Sequence, residues 1–367
     1  MLRSIGLKNF KLFEHLHLDF DRLNLFTGVN GMGKSSVIQA LLLLRQSFLR
    51  RELESGGLLL KGSYVDLGTG RDVFSMYASE ADQIEFSLTE EQQTFEWTFR
   101  YSPGTDLLPV ASGPEADFSG LALFGWHFKY LNAEHIAPRV VYEKSESEVV
   151  NRRQLGMRGE YAAHFLLHFQ SEKIRFSNLV HPAARSDILL HQVDAWMGEI
   201  SPGTQLVLQD VAGADLVRLA FKFKTEVDYT NEFKAPNVGF GLSYALPVVV
   251  ALLSATPGEL LILENPESHV HPRGQAALGR LMGLCASNDV QLLVETHSDH
   301  IVNGIRVAVK RGEIDHGAVR LHYFERAQSI DRHIGTSTAI QIDSRGELSD
   351  YPAGFLDEWG NQLAELI

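Results

Sequence analysis

Residues 28–36 read GVNGMGKSS, and this short stretch restricts what the chain can fold into more than any other. It satisfies the pattern G-x-x-x-x-G-K-[ST], with Gly28, Gly33, Lys34 and Ser35 at the fixed positions. Phosphate chemistry dictates the spacing. Glycines let the backbone curl so that successive N–H groups point inward at anionic oxygens. A helix that begins at the loop adds the positive end of its dipole. Both flanks are present: an apolar strand, LNLFT, comes before, and a helix with almost no polar interruption, VIQALLLLRQSFL, comes after. Lys34 is expected to reach the β- and γ-phosphates of a bound triphosphate and Ser35 to ligand Mg²⁺. Asn30, Gly31, Gly33 and Ser36 are expected to complete the cradle.

A triphosphate site of this kind needs a carboxylate at the end of a neighbouring buried strand to hold the metal through water. LLILENPESHVHP, residues 260–272, supplies one. Glu264 takes the metal seat, where Asp is usual. The next seat, normally a catalytic Glu, holds Asn265. An amide cannot accept a proton from water, and a general base is worth roughly 10²–10⁴ in rate. Turnover is therefore slow, or Glu267 or Glu295 substitutes. ETHSDH, residues 295–300, ends the next apolar run; in the ABC-type ATPases that this segment resembles, a His at this place senses the γ-phosphate, and His297 matches it. Between these segments lies GFGLSYALP. Its Ser243 is positioned for a helix N-terminus, an arrangement that tolerates Pro247 if it falls in the first turn.

The remaining composition narrows the setting. Hydrophobic residues make up 44% of the 367 and charged residues 22%, an ordinary globular balance. The formal net charge is −13, which argues against a general affinity for nucleic acid. Arg152, Arg153 and Arg158 lie close in sequence and are read as a salt-bridged face rather than a phosphate patch. The one cysteine, Cys285, excludes an internal disulfide and a cysteine metal cluster, and sits on an apolar helix face. MLRSIGLKNF is not a signal peptide. The longest apolar run, LSYALPVVVALLSA, falls short of the roughly 20 residues a membrane helix needs. A cytoplasmic protein without a membrane partner is expected.

Along the chain, IGLKNFKLF and LHLDF read as strands. QIEFSLTE and TFEWTFRY read as antiparallel strands, and PGTDLLPVASGPEADFSG as a loop. AAHFLLHFQ and ILLHQVDAWMGEI have helical spacing. From about residue 240, ALPVVVALLS (helix), ELLILE (strand), RGQAALGRLMGLCA (helix), QLLVET (strand) and DHIVNGIRVAVKR (helix) alternate, which indicates a parallel sheet covered on both faces. RLHYFE and AIQID are strands.

GxNGxGKS, preceded by a short β segment containing NF, resembles the SMC and RecF type of ABC ATPase. Together with GFGLSxxLP, LENPESHVHPRGQ, ETHSDHIVNGIR, YPAGFLDE and RQLGMRGEYAAHFL, it resembles a group of stand-alone bacterial ATPases, often AAA-annotated and found in anti-phage defence operons, related to OLD and RecF proteins. The resemblance implies an α/β fold: a P-loop NTPase of ABC/SMC-head type with a mixed sheet and an inserted α+β lid domain. The expected layout is residues 1–61 and 236–325 for the ATPase head, 62–235 for the inserted lid or arm, and 326–367 for a family-specific extension. It also implies ATP and Mg²⁺ as cofactors, and a homodimer or higher oligomer sandwiching ATP, with Ser243 of one copy facing the nucleotide of the other. OLD proteins carry a C-terminal nuclease; this chain ends before one would fit, so a nuclease or toxin effector would be a separately encoded partner.

Three readings follow from that resemblance. One is a slow ATP-hydrolysing switch that controls such an effector in anti-phage defence. A second is a RecF-like repair or maintenance ATPase that grips duplex DNA itself. The third is a scaffold that binds ATP without hydrolysing it.

Overall fold

The computed structural model describes residues 1–78, 82–326, 332–352, 354–355 and 357–366. The chain divides into two compact units: Met1–Phe128 with Val319–Gln341 and Leu348–Ile367, and Lys129–Ala318 with Ile342–Glu347.

In the first unit, β1 (Leu2–Phe10) and β2 (Phe13–Asp19) form a hairpin, and β3 (Leu23–Gly28) runs into the glycine loop and α1 (Lys34–Leu49). Short β4 (Gly57–Leu59) and the single turn α2 (Gly70–Val73) follow, then the antiparallel pair β5 (Gln83–Glu90) and β6 (Gln93–Arg100), and β7 (Leu107–Ser112). Strand order in this sheet is β2-β1-β5-β6-β7-β4. The alternating sequences of β5 and β6 put Ile84, Phe86, Leu88, Phe95, Trp97 and Phe99 on one buried face, as a half-buried antiparallel sheet requires. β7 corrects the reading of 103–120 as loop. LLPVAS is short and Pro-broken, but it pairs with β6 on one side and with the short edge strand β4 on the other, Pro109 opposite Gly57.

Helix α1 explains its own apolar composition. Nearly all of it is buried, and its polar members are satisfied locally. Arg45 lies over the Phe128 ring and donates to the Leu123 carbonyl, Gln46 Nε2 donates to Leu59 O at 2.7 Å, and Ser47 Oγ donates to Leu43 O at 2.7 Å.

The second unit opens with β8 (Phe128–Leu131) and β9 (Val141–Glu143), followed by α3 (Ala162–Phe169), α4 (Leu189–Ile200), β10 (Thr204–Asp210), β11 (Leu216–Phe223) and β12 (Phe233–Lys234). β10, β11 and β12 form an antiparallel sheet, with β9 also paired to β11. Helix α5 (Phe240–Leu253) leads to β13 (Leu260–Glu264), α6 (Pro272–Ala286), β14 (Gln291–Glu295) and α7 (Asp299–Lys310). β13 and β14 are parallel, with Glu264 opposite Glu295, and both are buried apart from half-buried Glu264, as their apolar sequences require. Cys285 is a buried core residue. Arg152 pairs with Glu148 at 2.8 Å and Arg153 with Glu172 at 2.9 Å, while Arg158 is exposed.

The chain returns to the first unit with β15 (Val319–Arg326), parallel to β3 and antiparallel to β16 (Gly335–Gln341), which makes this sheet mixed. The last element is α8 (Glu358–Leu366). Of YPAGFLDE, Ala353 and Leu356 lie outside the described residues.

Candidate functional site

The glycine loop sits where its sequence predicts, between the end of β3 and the start of α1. Gly28, Gly31 and Gly33 have φ of +124°, +75° and +99°, values that L side chains rarely adopt. Gly28 has a second reason to be glycine: a Cβ there would lie 2.1 Å from Phe324 O on the paired strand β15. A Cβ on Gly33 would lie 2.4 Å from the Phe13 ring, so the loop rests on β2. Around Gly31 there is nothing within 4 Å, and Val29, Asn30 and Gly31 are exposed. The loop therefore presents an open rim.

Lys34 is only 3% exposed. Its Nζ donates to the carbonyls of Gly28 at 2.8 Å and Val29 at 2.9 Å, so the ammonium is folded back across the loop it would serve. Ser35 and Ser36 lie in the first turn of α1, with no acidic residue there to compete for an anion.

In the second unit, β13 ends on Glu264 and β14 on Glu295 in the same register. Burial, and then the neighbouring Glu295, push the Glu264 carboxyl up to about 7; the Ala133 N–H, 3.1 Å from Oε2, and the Tyr130 hydroxyl act in the opposite sense. Burial, with Glu264 next, raises the Tyr130 phenol, which keeps it a donor. Two carboxylates side by side in a poorly solvated place are a site short of positive charge. Among the described residues no group of three or more His, Cys, Asp or Glu is arranged to hold a metal unaided. A divalent ion, a hard cation that takes oxygen ligands, fits the charge of that carboxylate pair.

The turn after Glu264 is tight. Asn265 has φ +46° and His269 φ +61°, the Asn265 N–H donates to Glu295 O at 2.9 Å, and Ser268 N–H donates to Asn265 O at 3.0 Å. The Asn265 side-chain oxygen is buried without a hydrogen-bond partner. Glu267 turns toward the next loop: Oε2 accepts from Thr296 Oγ1 and Oε1 from the His297 N–H, each at 2.8 Å. Burial raises the Glu267 carboxyl, with those two donors opposing. The imidazole of His297 is exposed, and Ser298 caps α7 through the N–H groups of His300 and Ile301.

Helix α5 begins at Phe240 with Gly239 at its N-cap, which puts Ser243 fourth in the helix. Pro247 is therefore the eighth residue, beyond the first turn, and corrects the placement expected from sequence. The helix tolerates it with Gly159 packed against the ring: a Cβ on Gly159 would lie 2.4 Å from Pro247 Cγ. Ser243 is 4% exposed, with its hydroxyl beside the Tyr142 phenol. Nearby, the Tyr142 phenol is already engaged by the Arg139 N–H at 3.1 Å. The start of α5 packs on the Asn265 turn, where a Cβ on Gly241 would lie 2.5 Å from His269 O.

Sequence reasoning missed Tyr130, Ala133 and His135. His135 Nε2 lies 3.3 Å from Asn265 O, so it donates there. These residues reach Glu264 and Asn265 from about 130 positions away, and nothing in NAEH marks that contact locally.

A family model described as "AAA domain, putative AbiEii toxin, Type IV TA system" matches residues 23–303, most of the chain. The chain belongs to that family. A second model, described as a protein of unknown function, matches residues 314–366 of this AAA-family chain. No curated protein matches it. Solved structures similar to it include an SMC head bound to the C-terminal winged-helix domain of ScpA, at 12% identity and a TM-score of 0.54, covering 93% of this chain and 98% of that one. Another is the Smc head of Pyrococcus furiosus with an extended coiled coil, at 12% identity and a TM-score of 0.50, covering 100% and 99%. The fold of this AAA-family protein is that of a P-loop NTPase of SMC/ABC-head type. Among the described residues no helix is long and apolar enough to cross a membrane.

Proposed function

We propose that this AAA-family chain is an ATP-driven switch that binds Mg·ATP, hydrolyses it slowly and pairs around it to control a separately encoded effector. The observation that carries the reading is the glycine loop: three left-handed glycines, an open rim and a buried lysine at the start of a helix. Lys34 neutralises β- and γ-oxygens once released from the Gly28 and Val29 carbonyls, and Ser35 with Glu264 holds Mg²⁺. The metal supplies charge neutralisation on the phosphates. Asn265, Glu267, Glu295 and His297 line the γ-phosphate side. Glu267 is committed to Thr296 and His297, which supports a positioning part for it and leaves Glu295 as the carboxylate for water.

Residues 1–61 and 236–325 make the head in this reading, 62–235 the lid and 326–367 an extension. Ser243 serves the nucleotide of a second copy, so loss of the γ-phosphate separates the pair. The toxin–antitoxin wording of the family description supports an effector such as a nuclease or toxin, in keeping with anti-phage defence in the cytoplasm. The ion pairs of Arg152 and Arg153 weigh against the RecF-like reading, in which the chain grips DNA itself.

The test is phosphate release from purified protein, with Lys34→Ala as control, together with sedimentation with and without Mg·ATP. A slow, Lys34-dependent release and an ATP-dependent increase in mass are expected. ATP binding without release would leave a nucleotide-dependent scaffold, the reading that Asn265 favours. Failure to bind ATP would end the proposal.

A further inference from the structure

Two surfaces of this chain are left uncovered, and their chemistries match. The first is α8. Phe355 packs on the Tyr323 ring, 5.3 Å between centroids, and fixes the chain just ahead of the helix. Beyond it, residues 360–366 are all exposed. Leu363 and Leu366 are three positions apart and so share a helix face, and Leu366 is 82% exposed. The sequence after Arg345 contains Glu347, Asp350, Asp357, Glu358 and Glu365 and neither Lys nor Arg. Two such acidic helices repel each other, so α8 does not find its partner in another α8.

The second surface is a cavity of about 520 Å³ in the second unit, beside the first turn of α5. Phe223, Phe233, Val238 and Leu242 give it apolar walls, exposed His269 and His271 also line it, and no Asp or Glu is among its described lining residues. Phe233 is 40% exposed. Lys224 and Lys234, each next in sequence to one of the two rings, are exposed. Helix α5 starts at the cavity with no side-chain cap and no acidic residue in its first turn, so the positive end of its dipole favours an acidic partner there.

An apolar hollow edged with positive charge suits an acidic amphipathic helix, which enters it through apolar anchors at i and i+3. We propose that α8 of one copy docks in this cavity on a second copy, with Leu363 and Leu366 as its anchors. Reciprocal exchange of the same element closes a two-fold pair. The contact needs no nucleotide. It goes beyond the nucleotide reading above, and the two stand or fall separately.

Sedimentation of the full chain without nucleotide tests it, on wild type, Leu363→Asp and Phe233→Glu, together with a labelled synthetic peptide of residues 354–367. Wild type is expected to pair in a concentration-dependent way and both variants to stay single. The peptide is expected to bind Leu363→Asp, whose cavity is intact, and to bind Phe233→Glu at least about tenfold more weakly. Leu366→Asp, at the more exposed anchor, repeats the test should Leu363→Asp disturb folding. Pairing that survives either anchor substitution or Phe233→Glu overturns the proposal, as does a peptide that does not bind or that binds Phe233→Glu as tightly. A wild type that stays single at every concentration also overturns it; peptide binding in that case places the helix in the cavity of its own chain.

Discussion

Glu267 holds His297 in place through the backbone: the carboxylate Oε1 accepts the His297 N–H at 2.8 Å, while Oε2 accepts the neighbouring Thr296 hydroxyl. A carboxylate three positions beyond the end of β13 thereby sets the shape of the loop after β14. Hydrogen bonds to a charged group contribute about 1.5–3 kcal/mol each. Glu267→Ala is accordingly expected to lower stability by about 2–4 kcal/mol, and Glu267→Gln, which can still accept one of the two, by less. Urea unfolding of the two variants measures the difference. Equal losses would show that the second acceptor contributes nothing.

Glu264 predicts a pH dependence of definite sign. Its folded carboxyl titrates at about 7 against an ordinary 4.5, so between those values the folded chain holds a proton that the unfolded chain has released. Stability then falls as pH rises through that window and levels off above it, by an amount on the order of 3 kcal/mol. Glu264→Gln removes the slope: its melting temperature should match wild type near pH 5 and exceed it near pH 8. Mg²⁺ binding with ATP should strengthen over the same range, because the metal competes with that proton.

Two glycines of one loop should respond differently to alanine. At Gly28 the added Cβ meets the Phe324 backbone 2.1 Å away, whereas at Gly31 it meets nothing within 4 Å. Gly31→Ala pays only for its left-handed backbone, about 1–2 kcal/mol. Gly28→Ala must also displace β15 from β3 and is expected to cost more than twice that or fail to fold. Circular dichroism and urea titration of both variants decide it.

In the proposed ATP site Asn265 stands where a proton acceptor would be needed, and an amide is not one. Asn265→Glu is expected to raise single-turnover phosphate release by about a hundredfold, at a stability cost of about 1 kcal/mol for a longer side chain at φ +46°. Unchanged release would mean that another group, with Glu295 foremost, already performs the task.

Some of this molecule is written locally and some is not. GVNGMGKSS, the apolar runs of β13 and β14 and the alternation of β5 and β6 each state their structure within a few residues, because backbone curl, two-faced burial and one-faced burial leave direct marks on residue choice. The strand β7 is hidden because LLPVAS has too few residues and a proline, and it is a strand only through β4 and β6. Tyr130, Ala133 and His135 are hidden for a different reason: their role comes from meeting Glu264 and Asn265, and a contact between distant segments has no local pattern. The sequence puts Pro247 in the first turn of α5; the structure starts the helix at Phe240, with Gly241 in close approach to His269, and Pro247 falls in its interior.

That proline lacks the N–H that the Ser243 carbonyl would otherwise receive, so one rung is missing from the ladder of α5. The residues past it, Val248–Leu253, are clamped in the core at 0–1% exposure. Leu242, Ser243, Ala245 and Leu246, on the other side of the missing rung, are buried as well. Side-chain packing on both flanks therefore carries α5 across a gap that its own backbone leaves open.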